Sequence, residues 1–206
     1  MDNPPFFRKY SLNVENHEKE AGMSPQESRR RFNASLLATI QKLITEKHII
    51  TDLGQRIDLD FTGFAKMTHT DYKITDDGYR TNRVYAESIR RRMKPFLNHY
   101  ASLWGCRNFD AQGIWFAQYE NGAEFGWHTH EGCNASAVYM LELPDSSAAT
   151  EFWGIDWDEE LNEGDLMVFP AIVPHRSPII SRGRKTIIGI NGNINNCPSN
   201  LTGDRP

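Results

Sequence analysis

Sulfur is scarce in this chain: three cysteines, Cys106, Cys133 and Cys197, stand far apart in 206 residues, with no Cys-x-x-Cys spacing. An odd, scattered set fits a reducing compartment better than a disulfide framework, so the three are expected to be spectators. Long apolar runs are missing, and the opening "MDNPPFFRKYSLNVENHEKE" lacks the basic-then-apolar order of a signal peptide. A cytoplasmic protein that does not enter membranes is the expectation. Excess positive charge is missing too, since 23 basic against 27 acidic side chains give a net charge of −4. That offers nucleic acid or anionic lipid no global attraction, and a small or neutral partner is expected instead. There is no internal repeat, low-complexity segment or clear linker. What is present is ordinary folded-protein composition, 39% hydrophobic, 24% charged and 11% aromatic, at a length that suits one domain over residues 1–206.

The two halves differ in texture. From Ser24 to about His48, Phe32, Leu36, Ile40, Leu43 and Ile44 recur at three-to-four spacing behind "SPQES", a serine cap followed by proline and an acid. A second helical pattern runs from about Arg83 to Trp104 through Tyr85, Ile89, Met93, Leu97 and Tyr100, closed by Gly105 and expected to kink or split at Pro95. "RRRMK" within it reads as a solvated helix face. After Gly105 come "GIWFAQY", "ASAVYMLEL", "TEFWGI", "DLMVFP" and "KTIIGINGN", separated by turn-forming stretches. The expected fold is mainly β with supporting α-helices: a jelly-roll core over 106–196 and helical support over 1–105, where "RIDLDF" near residue 56 can add a strand.

Seven histidines are spread over the chain. His17, His48, His69 and His99 stand among polar residues or on helix flanks and read as ordinary surface. "FGWHTHEG" is different. On a strand, His128 and His130 share a face about 7 Å apart. His175 follows "GDLMVFPAIVPH", where an apolar strand runs into two prolines and presents an imidazole at its mouth. A close pair and a distant partner make a candidate three-imidazole metal site with open positions on one side. Imidazole without thiolate suits iron, copper, nickel or zinc.

"YENGAEFGWHTH" resembles a segment of the Fe(II)/2-oxoglutarate oxygenases of the prolyl-hydroxylase type, in which a Tyr, a Gly three residues on and a His-x-Asp six further occur in that order. Tyr119, Gly122 and His128 occupy those places. "GDLMVFPAIVPH" is similar to the later strand that carries the distal iron ligand, here His175. "RKTIIGINGN" looks like the closing strand, whose basic residue about ten positions after that His grips the far carboxylate of 2-oxoglutarate; Lys185 falls ten positions after His175. "HTHEGCNASAVYML" and "KTIIGIN" are similar to a phage and bacterial branch of such oxygenases that carries His-x-His. The likeness covers roughly residues 112 to 195. It implies a double-stranded β-helix, Fe(II) on His128, His130 and His175, 2-oxoglutarate held at its far end by Lys185, and C–H hydroxylation coupled to decarboxylation.

His130 stands where those families have a carboxylate, which leaves the metal site one unit more positive. Related halogenases also lack the carboxylate, but a His can still coordinate, and hydroxylation is the preferred reading. Cupins share this barrel, and their two motifs match at Gly122, His128 and His130 and at Gly164, Pro170 and His175, with departures at Asn134, Ala135, Ile172 and Ile179. A three-His dioxygenase without 2-oxoglutarate is therefore the alternative, and a nonenzymatic ligand-binding barrel a third.

Lys185 discriminates among these readings. On a regular strand Lys185, Ile187, Gly189 and Asn191 share one face; a cation there is either the solvated start of a strand or a buried partner for a dicarboxylate. Arg184 faces the other way. Tyr119 and Tyr139, on strands expected to be neighbours, are candidates to hydrogen-bond the cosubstrate, as is Asn191. Phe125 stands where prolyl hydroxylases often have a Tyr, and Trp127, Trp153 and Trp157 pack the barrel or shape its mouth. The substrate is expected to be a small molecule, such as an amino acid or a biosynthetic intermediate, with a protein side chain as the other choice.

Overall fold

The computed structural model describes residues 6–12, 23–46, 68–71, 84–155, 160–195 and 197. "RIDLDF", His17, His48 and Trp157 lie outside these.

The first helix, α1 (Pro25–Thr45), starts where its sequence caps it: Ser24 is extended and its hydroxyl accepts the Glu27 N–H at 3.2 Å. The second, α2 (Val84–Leu103), buries Tyr85, Ile89, Met93, Leu97 and Tyr100 along one side and stops before Gly105, whose φ of 71° is the left-handed closure glycine permits. Of the two expected outcomes at Pro95, the split does not occur: the helix runs as one element through it. Pro95 is exposed, so water can satisfy the carbonyl that the missing N–H leaves free.

Among the described residues nine strands follow one another: β1 (Arg8–Ser11), β2 (His69–Thr70), β3 (Asn108–Tyr119), β4 (Phe125–His128), β5 (Ala135–Glu142), β6 (Glu151–Phe152), β7 (Asp165–Pro170), β8 (His175–Ser177) and β9 (Lys185–Asn195). They form two antiparallel sheets, one in the order β1-β7-β5-β9-β3-β2 and one in the order β4-β8-β6. Because strand side chains alternate, the large sheet sorts its residues by parity. Ile114, Phe116, Tyr139, Leu166, Val168, Ile188 and Ile190 join Leu36, Ile40, Ile89 and Met93 in one apolar cluster. Ala117, Tyr119, Val138, Met140, Met167, Phe169 and Ile187 belong to a second, with Phe152 of the small sheet. Each fully buried aliphatic or aromatic side chain contributes about 1.5–3 kcal/mol, so the period-two pattern both fixes the register and attaches the helices to one face.

β1 carries no strand signal in the sequence, yet it pairs with β7 from Arg8 opposite Val168 to Ser11 opposite Asp165. Phe7, beside it, is fully buried against Phe152 and Phe169. The cysteines also depart from expectation. Cys106 and Cys197 form a disulfide across 91 residues, leaving Cys133 free. The bond closes an approach that pairing has already made, since Arg107 N–H donates to the Asn195 carbonyl where β3 meets β9. Among the described residues no helix is long and apolar enough to cross a membrane.

Candidate active site

Two of the three histidines come from facing positions on β4 and β8, since His128 pairs with His175 in the small sheet. His175 is thus not the end of the β7 strand, as its sequence suggests: β7 stops at Pro170, the chain turns, and β8 begins at His175 in the other sheet. His130 also differs from expectation. β4 ends at His128, so strand alternation does not align the pair; His130 lies in the irregular segment that follows, held by its N–H to the Ala171 carbonyl at 3.0 Å. The three still converge. Their ligand atoms lie within 4.8 Å of one another, with ring centroids 4.2 Å apart for His128 and His175, 5.0 Å for His130 and His175, and 5.2 Å for His128 and His130.

Their chemistry suits a cation. Nδ1 of His128 lies 2.9 Å from the Gly126 carbonyl and Nδ1 of His175 lies 3.0 Å from the Val173 carbonyl. A carbonyl can only accept, so Nδ1 carries the proton in both rings and Nε2 keeps its lone pair for a metal. Burial drives the rings neutral: His128 is lowered to about 4 and His130 to about 3, the latter also by the charge of His128. His175 is pushed well below its ordinary value by burial and by the other two.

The cavity beside them is lined by Trp115, Ala117, Tyr119, Phe125, Ile187 and Gly189, among others, and Lys185. Lys185 is fully buried. Its ammonium donates to the Ser177 hydroxyl at 2.8 Å and lies 5.5 Å from the centre of the Tyr119 ring. An ammonium has three N–H donors, and the described residues supply one hydroxyl and no carboxylate contact. Desolvation lowers its pKa to about 7, against a weak opposing pull from Glu151. Burial raises the Tyr119 phenol, whose hydroxyl has no hydrogen-bond partner among the described residues. Arg184 does face the other way and forms a two-pronged pair with Glu142, at 2.8 and 3.0 Å.

Two candidates are not brought to this cavity. Tyr139 sits on the helix-facing side of β5, and its hydroxyl donates to Asn33 of α1 at 2.6 Å. Its strand is also not adjacent to that of Tyr119, because β9 lies between β5 and β3. Asn191 shares the face of Lys185 but accepts from the Ser136 hydroxyl at 2.8 Å, toward the far end of β9. Sequence reasoning missed Ser177, whose only signal is that it shares the face of His175 two residues earlier. It also missed the pairing of Trp115 with Gly189. A Cβ at 189 would come within 2.4 Å of the Trp115 indole, and that indole packs edge-on to His130 at 5.6 Å.

This two-sheet architecture with paired helices is the fold of the prolyl hydroxylases among the iron and 2-oxoglutarate oxygenases. In particular, the chain superposes on a viral collagen prolyl hydroxylase of Paramecium bursaria Chlorella virus-1, solved with 2-oxoglutarate, with a TM-score of 0.54 and 11% identity over 90% of this chain and 94% of that one. A Pseudomonas putida prolyl-4-hydroxylase gives 0.54 and 16% over 91% and 92%. A Trichoplax adhaerens prolyl hydroxylase, in complex with a hypoxia inducible factor peptide fragment, gives 0.53 and 12% over 91% and 84%. At these identities the likeness is one of fold. No protein-family model and no curated protein matches the sequence.

Proposed function

We propose that this protein is an Fe(II)- and 2-oxoglutarate-dependent oxygenase that hydroxylates a C–H bond of its substrate, and that its two sheets are those of a double-stranded β-helix. In this reading 1–206 is one domain, with 1–105 supporting a core over 106–196. The observation that carries the proposal is Lys185. A fully buried ammonium whose one hydrogen-bond partner among the described residues is a hydroxyl is costly without a counter-ion, and a carboxylate arriving with a ligand offsets that cost. A three-His dioxygenase without 2-oxoglutarate has no use for such a cation.

His128, His130 and His175 would hold Fe(II): three neutral imidazoles, two with fixed tautomers, fit a divalent cation that needs open positions. Bound there, the metal supplies activation of dioxygen coupled to conversion of 2-oxoglutarate to succinate. The remaining work belongs to the chain. Lys185, with Ser177, fixes the far carboxylate of the cosubstrate, and the Tyr119 hydroxyl supplies a donor on the same wall. Phe125, Ile187 and Val138 exclude water, and Trp115 keeps the His130 ring in place. We favour a small-molecule substrate over a protein side chain. The cytoplasmic location expected from cysteine usage has the Cys106–Cys197 bond against it, because disulfides are rare in reducing compartments.

The test is succinate formation from 2-oxoglutarate with Fe(II) and dioxygen. Production by the wild type that disappears in both His175→Ala and Lys185→Met supports the reading. Oxygen consumption without succinate overturns it.

A further inference from the structure

The charged side chains that line the cavity, among the described residues, are Lys185 and Arg176, both basic; the nearest acid, Glu151, pairs with Arg176 from outside the lining. The three imidazoles add no negative charge, so among the described residues no carboxylate lines the cavity itself. Lys185 accounts for one incoming carboxylate. Arg176 is a second cation that this chemistry leaves unused.

Arg176 follows His175 on β8 and sits at the rim, its side chain 41% exposed. It is held on two sides. Nε donates to Glu151 at 2.7 Å, and the guanidinium carbon lies 4.7 Å from the centre of the Trp127 ring. Trp127 is itself braced edge-on by Trp153 at 5.2 Å, and Trp153 is 61% exposed. An ion pair this open to water adds little stability. Its effect is on order: a long side chain is fixed in one orientation before anything binds, which lowers the entropy lost on binding. The two terminal nitrogens have no hydrogen-bond partner among the described residues. They form the planar fork that matches a carboxylate in two-pronged fashion.

We propose that Arg176 anchors the primary substrate, and that this substrate carries a carboxylate, gripped by the terminal nitrogens of Arg176 at the mouth while the rest of the molecule reaches inward toward the three histidines. The inference rests on the oxygenase reading and names the class of substrate for that site. Trp127, backed by Trp153, provides apolar surface beside the anchor, so the carboxylate is expected to belong to a compact organic acid such as an amino acid derivative.

The experiment uses full-length protein loaded with Mn(II) and 2-oxoglutarate without dioxygen. It is titrated with a panel of N-acetyl amino acids and, separately, with the same compounds as primary amides, following tryptophan fluorescence, to which Trp127 and Trp153 contribute. At least one acid is expected to give a saturable change, with its amide about tenfold weaker or more. Arg176→Gln should abolish that preference, Arg176→Lys should recover part of it, and Glu151→Gln, which keeps the guanidinium but loosens it, should retain it with weaker affinity. Equal response to acids and amides, no response to any acid, or a preference that survives in Arg176→Gln overturns the proposal. Uptake of 2-oxoglutarate is measured first by equilibrium dialysis. Its failure overturns the oxygenase reading, and the comparison of acid with amide still decides the role of Arg176.

Discussion

Lys185 and Ser177 belong to different sheets, yet the ammonium of the first donates to the hydroxyl of the second at 2.8 Å. That contact joins the two sheets beside the cavity, and no carboxylate of the described residues bonds to the ammonium. Replacing Lys185 by Met removes a charged hydrogen bond to the cosubstrate, worth about 1.5–3 kcal/mol, so 2-oxoglutarate affinity should fall by at least tenfold in equilibrium dialysis. The ligand-free variant should melt at a higher temperature than the wild type, because the desolvation cost is gone.

The same lysine makes cosubstrate binding depend on pH. Its folded pKa of about 7 lies below the ordinary 10.5, so between these values the unfolded chain keeps a proton that the folded chain has lost. Stability of the ligand-free protein should therefore rise with pH across this window. An arriving carboxylate favours the ammonium. Binding at pH 8 should then take up a proton, seen as a dependence of the calorimetric heat on buffer ionisation enthalpy, and affinity should weaken as pH rises toward 10.

For the histidines the window is acidic. His128 at about 4 and His130 at about 3 both lie below the ordinary 6.5. As pH falls from 6.5, the unfolded chain takes up protons that the folded site refuses, and stability declines. Only neutral imidazole binds a metal. Metal content after dialysis should be nearly flat from pH 8 to about 5 and collapse below about 4.

Gly189 lines the cavity with the Trp115 indole lying against it. An alanine there places its Cβ within 2.4 Å of the Trp115 indole, and overpacking of this kind costs about 1–3 kcal/mol. Gly189→Ala should lower the melting temperature and loosen metal binding through His130. Adding Trp115→Phe should restore part of the stability.

Thiol titration checks the disulfide. Unreduced protein should react at one cysteine, Cys133, and reduced, denatured protein at three.

Much of this was legible in the sequence, for reasons that also explain what was not. Helix α1 could be read from Ser24 to its apolar stripe because capping and periodicity are local, and the long strands β3, β5, β7 and β9 because alternation against two apolar layers leaves a strong pattern. Lys185 stood out through the likeness of its strand to the family's closing strand, ten positions after His175, and it lines the same cavity as the three histidines. Ser177 did not, because its contact with Lys185 joins two sheets and no pairing rule relates their registers. Tyr139 was misassigned for a related reason. Its parity shows that it differs in face from Val138, but only the position of α1 shows which face looks away from the cavity. β1 escaped because four residues at an edge carry too short a pattern.

The most direct test of the central claim is the visible absorption spectrum of Fe(II)-loaded protein, without dioxygen, before and after 2-oxoglutarate is added. The account predicts a weak charge-transfer band that appears with the cosubstrate in the wild type and is absent in His175→Ala. A wild-type spectrum that does not change on adding 2-oxoglutarate, with iron shown to be bound, would contradict it.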